Sequence, residues 1–367
     1  MTPQDHADVR PFRSLFPRLF RKGVEVMSVA QLAAVAQALP EATRQAVADF
    51  LGPEGVAAVA EDLPPDKAEL LVSAYPAAGD LDRQPFVDHY PAVMLATNEQ
   101  LTTEQLTTVL QALGPVDLLS QSLFLGVRGR RHVLGRLRRE QVEAILDHSD
   151  DWVLLETARD ALTSYGQYRC VLEKQERVGG KLQGLERIEL KTRQTPRAIY
   201  MRWIGGLWKG RQALYNEAVL GPGKVRVRES GLLGVVPITL AVDSALAGRG
   251  TNHRITEVGL HHLVALLEQD YVRAQPRGHL ERVNHGLVEL DGRPVYKIES
   301  RLPPDPALGY YCHRVVHYTD YVNAIDVKAE VYDFEDRLKE TFHYRELTVD
   351  PGLTDHDFDP KNRAYRL

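Results

Sequence analysis

Histidines, cysteines and short acidic runs are the groups in this 367-residue chain that could ligate a metal or attack a substrate, and their spacing limits what they can do. His261 and His262 are adjacent; neighbours on a helix point about 100° apart and do not easily pinch one ion. His313 and His317 fall four apart in a strand-like run, on one face but about 13 Å distant by strand rise. The run DHDFDP from Asp355 imitates the opening of a calcium loop. Pro360, however, occupies the position that needs Gly, and the acidic twelfth position falls at Tyr365–Arg366. GPGKV from Gly221 lacks the upstream Gly and the Ser/Thr of a phosphate loop and reads as a hairpin turn. No G-x-S-x-G elbow and no H-E-x-x-H occurs. Cys170 and Cys312 are too few for a disulfide scaffold or a four-cysteine zinc site and read as buried thiols packing as small hydrophobes. These residues assign no catalytic group, no metal site and no cofactor, and the chain is expected not to be an enzyme.

Two groups of side chains point to binding instead. Tyr200, Trp203 and Trp208 frame one strand and its turn, next to the apolar run Leu232, Leu233, Val235 and Val236. Facing a groove, they would suit an acyl chain; the same residues would serve equally as core. The second group is basic: Arg128, Arg130, Arg131, Arg136, Arg138 and Arg139, on an otherwise acidic stretch. Such a patch could meet an acidic protein, an anionic surface or RNA, or form a solvated face. The net charge of -5 argues against a general DNA binder.

The elements that must position these groups fall into two domains. Sliding the chain against itself by 74 residues aligns Pro11–Tyr75 with Pro85–Ser149 at 17 identical positions of 65, where chance gives about four. Ser28 with Gln31 and Thr102 with Gln105 have capping-box spacing, and apolar residues then recur at three- and four-residue steps. Residues 1–150 are therefore expected to be an all-α tandem repeat, with copies at 11–75 and 85–149. Stacked helical units of this kind bind other proteins or only pack on each other. From Asp151 one linking helix precedes eight to ten strand-like runs, with hairpin turns at Gly179-Gly180 and Asp291-Gly292. An amphipathic helix is expected from His253 to Ala274. Residues 151–367 thus read as an antiparallel, curved sheet with covering helices, and the whole chain as α+β.

The linked runs CVLEKQERVGGKL, RIELKTRQTPRAIYMRW, KGRQALYNE, ITLAVDSALAGRGTNHRITEVGLHHLVALL and LTVDPGLTDHDFDPKNRAYRL make residues 151–367 resemble the bacterial family catalogued as domain of unknown function 1571. That family is associated with the LolA/LolB-like superfamily of lipoprotein carriers. The resemblance implies an incomplete β-barrel whose concavity holds acyl chains, with the DHDFDP tail docked; it does not reach the helical repeat.

Two functions follow as expectations. One is a non-enzymatic protein that holds a hydrophobic ligand, either an acyl chain or a lipidated partner, and docks elsewhere through its helical domain. The other is an intracellular interaction scaffold with a filled sheet domain. No apolar run approaches the roughly 20 residues of a membrane span. The N-terminal MTPQDHADVRPFRSLFPRLFRKG lacks the apolar core of a signal peptide, so a cytoplasmic location is expected, with the cell envelope as the alternative by family analogy.

Overall fold

Ser28 and Thr102 cap helices as their spacing predicts. Each hydroxyl accepts the N–H three residues on at 3.2 Å, and each glutamine side chain accepts the cap residue's own N–H, at 2.8 and 3.0 Å. In the computed structural model, which describes residues 12–61, 63–75, 86–231, 236–365 and 367, the chain divides into two units. The first is Met1–Asp160 with Tyr321–Asn323, the second Ala161–Asp320 with Ala324–Leu367.

The first unit is helical: α1 (Phe12–Val26), α2 (Val29–Ala38), α3 (Glu41–Ala60), α4 (Pro65–Ala74), α5 (Tyr90–Gln100), α6 (Thr103–Gln111), α7 (Pro115–Leu134), α8 (Arg139–His148) and the start of α9 (Asp151–Ser164). The bounds of α3 and α7, and of α4 and α8, differ by 74 residues at both ends. Gly52 and Gly126 kink α3 and α7 at positive φ, 74° and 59°.

The contacts between the two halves are reciprocal. The Gln31 amide donates to Gln105 at 2.9 Å and to the Gln100 carbonyl at 2.6 Å. The Gln105 amide donates to Gln31 at 3.1 Å and to the Val26 carbonyl at 2.6 Å. Phe12 stacks on Phe124 at 3.8 Å, and Phe86 on Phe50 at 4.4 Å. In each case residue i meets j+74 while i+74 meets j, the exchange pattern of a two-fold interface. Head-to-tail stacking, as in a solenoid, would not exchange partners in this way.

The second unit holds β1 (Gln167–Val178), β2 (Lys181–Leu182), β3 (Glu186–Arg193), β4 (Ala198–Gly205), β5 (Gln212–Asn216), α10 (Glu217–Leu220), β6 (Lys224–Arg228) and β7 (Ile238–Ala241). After α11 (Leu260–Ala274) follow β8 (Glu281–Leu290), β9 (Arg293–Arg301), β10 (Arg314–Asp320), β11 (Ile325–Tyr332) and β12 (Leu338–Val349). Among the described residues these strands make one twelve-stranded antiparallel sheet, ordered β7-β6-β5-β4-β3-β1-β12-β11-β10-β9-β8, with β2 on β1. It ends on β7 and β8 and is open. The count exceeds the expected eight to ten through two short strands, β2 of two residues and β7 of four.

Both hairpin turns form where expected, with Gly179 and Gly180 at φ 57° and 80° and Asp291 and Gly292 at 51° and 75°. The helix expected from His253 starts instead at Leu260. Gly259 sits at φ +110°, and the Leu260 N–H donates to Tyr168 Oη at 3.0 Å.

The two faces of the sheet are covered differently. On the outer face of β3–β5 the C-terminal tail docks. Phe358 is fully buried among Ala198, Tyr200 and Leu214; Lys191 pairs with Asp357 at 2.7 Å and Arg193 with Asp355 at 2.6 Å. The inner face packs on α11, with Leu267 against Val315 and Val331, and on the strap that precedes it, residues 244–258.

Candidate functional site

Strand β1 alternates buried and open positions along its whole length. Its buried side begins Tyr168, Cys170, Leu172 and then turns charged: Lys174 and Glu176 are 5% and 3% exposed. Register places Glu176 opposite Glu340 of β12 and Lys174 opposite Glu186 of β3. Two carboxylates facing each other in an interior repel unless cations and donors reach them.

Lys174 of β1 itself, Tyr311 and the strap supply them. Lys174 donates to Glu176 at 2.7 Å and to Thr251 at 3.1 Å, and the Thr251 hydroxyl donates to Glu176 at 3.2 Å. Asn252 donates to Glu340 Oε1 at 3.0 Å; His253 Nε2 lies 3.2 Å and Tyr311 Oη 2.5 Å from Glu340 Oε2. Burial by itself pushes the Glu340 carboxyl up, but His253, Tyr311 and Asn252 outweigh it and hold the group down at about 2. Burial pulls His253 down, and Glu340 with Glu176 reverses this and raises it. Tyr311 is pushed up by burial and then by the Glu340 charge. Three consecutive strap residues are thus latched to the sheet, Thr251 and Asn252 by hydrogen bonds to its carboxylates and His253 by pairing with Glu340. Glu176, His253 and Glu340 come close enough to share a metal, but these two carboxylates are already satisfied by five protein donors.

Beside the latch lies an apolar layer. Met201 and Trp203 of β4 and Val225 and Val227 of β6 face Ile255 and Val258 of the strap around a cavity of ≈ 40 Å³. That is about the space of one water molecule, against the roughly 300 Å³ or more of a ligand pocket. Trp203 Nε1 donates to Glu186 at 2.9 Å. The buried Arg211 guanidinium lies over both indoles, 5.2 Å from Trp203 and 5.7 Å from Trp208. It also donates to the carbonyls of Leu246, Ala247 and Arg249 at 3.3 Å. A second, polar cleft of ≈ 830 Å³ opens between Glu281, Glu299, Arg301, His313, Arg314 and Asp336.

Of the residues singled out from the sequence, Trp203 and Trp208 come together here. Tyr200 does not: it is an odd number of residues from Trp203 on the same strand, so it faces the tail, stacked on Tyr365 at 3.8 Å. Leu232, Leu233 and Val235 lie outside the described residues. Arg128, Arg136, Arg138 and Arg139 are exposed and Arg131 is half-buried. Arg130 is 3% exposed, ion-paired to Asp160 at 2.8 Å and donating to the Ser122 carbonyl; it belongs to the interior and not to a surface patch. Cys170 and Cys312 are buried, and burial pushes both thiols up. His317 pairs with Asp326 at 3.1 Å and His313 with the Leu302 carbonyl, within the sheet. The latch itself went unnoticed in the sequence. Its signal was Lys174 and Glu176 standing in register with Tyr168, Cys170 and Leu172.

No described helix is long and apolar enough to cross a membrane. The model of a family described as "Protein of unknown function (DUF1571)" matches residues 165–367. None of the curated proteins compared with the chain matches it. Among solved structures, it is similar to the lipoprotein LppX of Mycobacterium tuberculosis at 12% identity and TM-score 0.34, over 57% of this chain and all of that one. It is similar to a LolA superfamily protein of Nitrosomonas europaea at 14% identity and TM-score 0.26, over 57% and 96%. A putative outer membrane lipoprotein-sorting protein domain of Vibrio parahaemolyticus matches at 12% identity and TM-score 0.29, over 56% and 95%. Likeness at this level carries nothing about what the chain binds.

Proposed function

We propose, for a chain that belongs to the DUF1571 family, that the sheet unit is a non-enzymatic binding module that takes an acyl chain, free or on a lipidated protein, against its inner face. The observation that carries this is the way the strap is held. Ile255 and Val258 cover Met201, Trp203, Val225 and Val227. The strap is tied down by side-chain hydrogen bonds from Lys174, Arg211 and Asn252 and by the pairing of His253 with Glu340. An acyl chain gains about 0.8 kcal/mol for each CH₂ it buries, so it can replace the strap's apolar contacts over the same wall. With only ≈ 40 Å³ free, ligand and strap compete for one space. The location we propose for this role is the cell envelope.

Native mass spectrometry of the purified protein should show bound lipid. Titration with a fluorescent-silent fatty acid should give a saturable change in tryptophan emission, since Trp203 and Trp208 line the wall. Ile255→Asp, on the strap and half-buried, loosens the cover and should raise the apparent affinity. The filled interior favours a second reading, a protein-binding scaffold. That reading stands if no lipid co-purifies and chains of every length leave the emission unchanged.

A further inference from the structure

Where the strap runs into α11, the latch residue His253 meets two side chains that the latch does not use. His253, Glu257 and His262 lie within ten residues of one another. On one continuous helix His262 would stand nine residues, about 180°, around from His253 and face away. The chain is not one helix. A 3-10 turn spans Ile255–Glu257, Gly259 at φ +110° breaks the path, and α11 starts again at Leu260. The break returns His262 toward His253, with ring centroids 5.2 Å apart. Its neighbour His261 turns to Gln194 instead, at 3.0 Å. One ligand atom from each of His253, Glu257 and His262 lies within 4.8 Å of the others.

The hydrogen bonds leave these three with capacity to spare. His253 commits Nε2 to Glu340, at 3.2 Å, and to Tyr311, at 3.3 Å, which leaves Nδ1. Glu257 Oε2 accepts the Arg254 N–H at 2.9 Å, which leaves Oε1. His262 Nε2 is buried with no hydrogen-bond partner. An imidazole nitrogen left bare in an interior is costly and calls for an explanation.

We propose that His253, Glu257 and His262 form a binding site for a divalent transition-metal ion of zinc type. Two imidazoles and one carboxylate are three ligands of a tetrahedral zinc set, with the fourth position left for water or another donor. Glu340 completes the arrangement: a metal-bound histidine commonly gives its other ring N–H to a carboxylate, which fixes its tautomer and orientation. The ion would join the strap to the first turn of α11. The proposal does not depend on an acyl ligand.

The test is zinc and cobalt(II) titration of the full chain after dialysis against a chelator, followed by calorimetry and by visible absorption of the cobalt form. One ion per chain is expected, with the intense visible bands of low-coordinate cobalt, and a melting temperature that rises with zinc. His262→Ala and Glu257→Gln should each weaken binding at least tenfold. Glu340→Gln should weaken it by about 10- to 100-fold without removing a ligand. His285→Ala, far along the chain in β8, should leave it unchanged. Glu257→Gln keeps the argument testable if His262→Ala fails to fold. Absence of stoichiometric binding by the wild-type chain, or binding that neither His262→Ala nor Glu257→Gln weakens, overturns the site.

Discussion

Glu340 concentrates the electrostatics of the sheet unit in one side chain. It is 0% exposed and accepts from His253, Tyr311 and Asn252, with Glu176 across the strand pair. Its folded pKa of about 2 lies below the ordinary carboxylate range near 4.3. A group depressed in this way contributes stability that is present above that range and lost as pH falls toward 2. Urea melts of the wild-type protein should therefore weaken steeply between about pH 4.5 and pH 2.5. Glu340→Gln should flatten that fall and cost roughly 3 kcal/mol at neutral pH, because it strips a charge from an otherwise compensated buried pair. Equal slopes for the two proteins would remove Glu340 from the account. Gly259 supports a second residue-scale prediction. A Cβ there would stand 2.2 Å from Tyr168 Oη, on a backbone at φ +110°. Gly259→Ala should lower stability by about 2–4 kcal/mol, through strain and loss of the Tyr168–Leu260 bond. Circular-dichroism melts check it.

At the scale of the element, α7 separates two kinds of arginine that look alike in sequence. Arg130 runs inward to Asp160 and Ser122, while Arg128 stays exposed and Arg139, at the start of α8, is exposed and pairs with Glu143 one turn on, at 3.1 Å. Arg130→Ser should cost about 1–3 kcal/mol by removing the buried donor to Asp160 and to the Ser122 carbonyl, and Arg128→Ser with Arg139→Ser under about 0.5 kcal/mol. Thermal melts that rank them the other way would refute the assignment. The difference was hidden because composition counts charges and not directions. Gly126 kinks α7 before Arg130, so the face that Arg130 presents does not follow from a straight 3.6-residue count. The same physics hid the start of α11. Leu260, Leu263, Val264 and Leu267 gave a sound apolar period, but only the contact between Gly259 and Tyr168, 91 residues apart, stops it from extending back to His253. The turns at Gly179-Gly180 and Asp291-Gly292 were legible from their glycines, but the register of β8 on β9 was not, because it shifts between Asn284 and Gly286. Tyr200 shares its aromatic type with Trp203 but not its face, since strand parity turns it to the tail and Tyr365. The charged end of the inner face passed unnoticed because Lys174 and Glu176 look like solvent-side residues until pairing puts them opposite Glu186 and Glu340.

For the whole molecule, the internal duplication matters more than any single motif. A 74-residue match predicts similar units but says nothing of how they meet. The paired glutamines Gln31 and Gln105 and the crossed aromatics Phe12–Phe124 and Phe50–Phe86 show copies that exchange partners. Such an interface is self-complementary, like a dimer joined by a linker. Each copy buries its apolar face on the other, and the core they share draws on Leu15, Phe16, Leu32 and Leu71 from one and Leu106, Leu119 and Tyr90 from the other. At about 1.5–3 kcal/mol for each buried side chain, such a core suits a domain that folds alone. We therefore expect residues 1–160, produced as a fragment, to melt cooperatively, with near-ultraviolet dichroism from ordered aromatic rings. Half of it, residues 1–80, should expose the face that its sister covers. It should be unfolded when dilute, or pair with itself as concentration rises, since the surface it lacks is a near copy of its own. Sedimentation of the half-fragment over a range of concentrations separates these outcomes from the one that contradicts the exchange, a stable folded monomer.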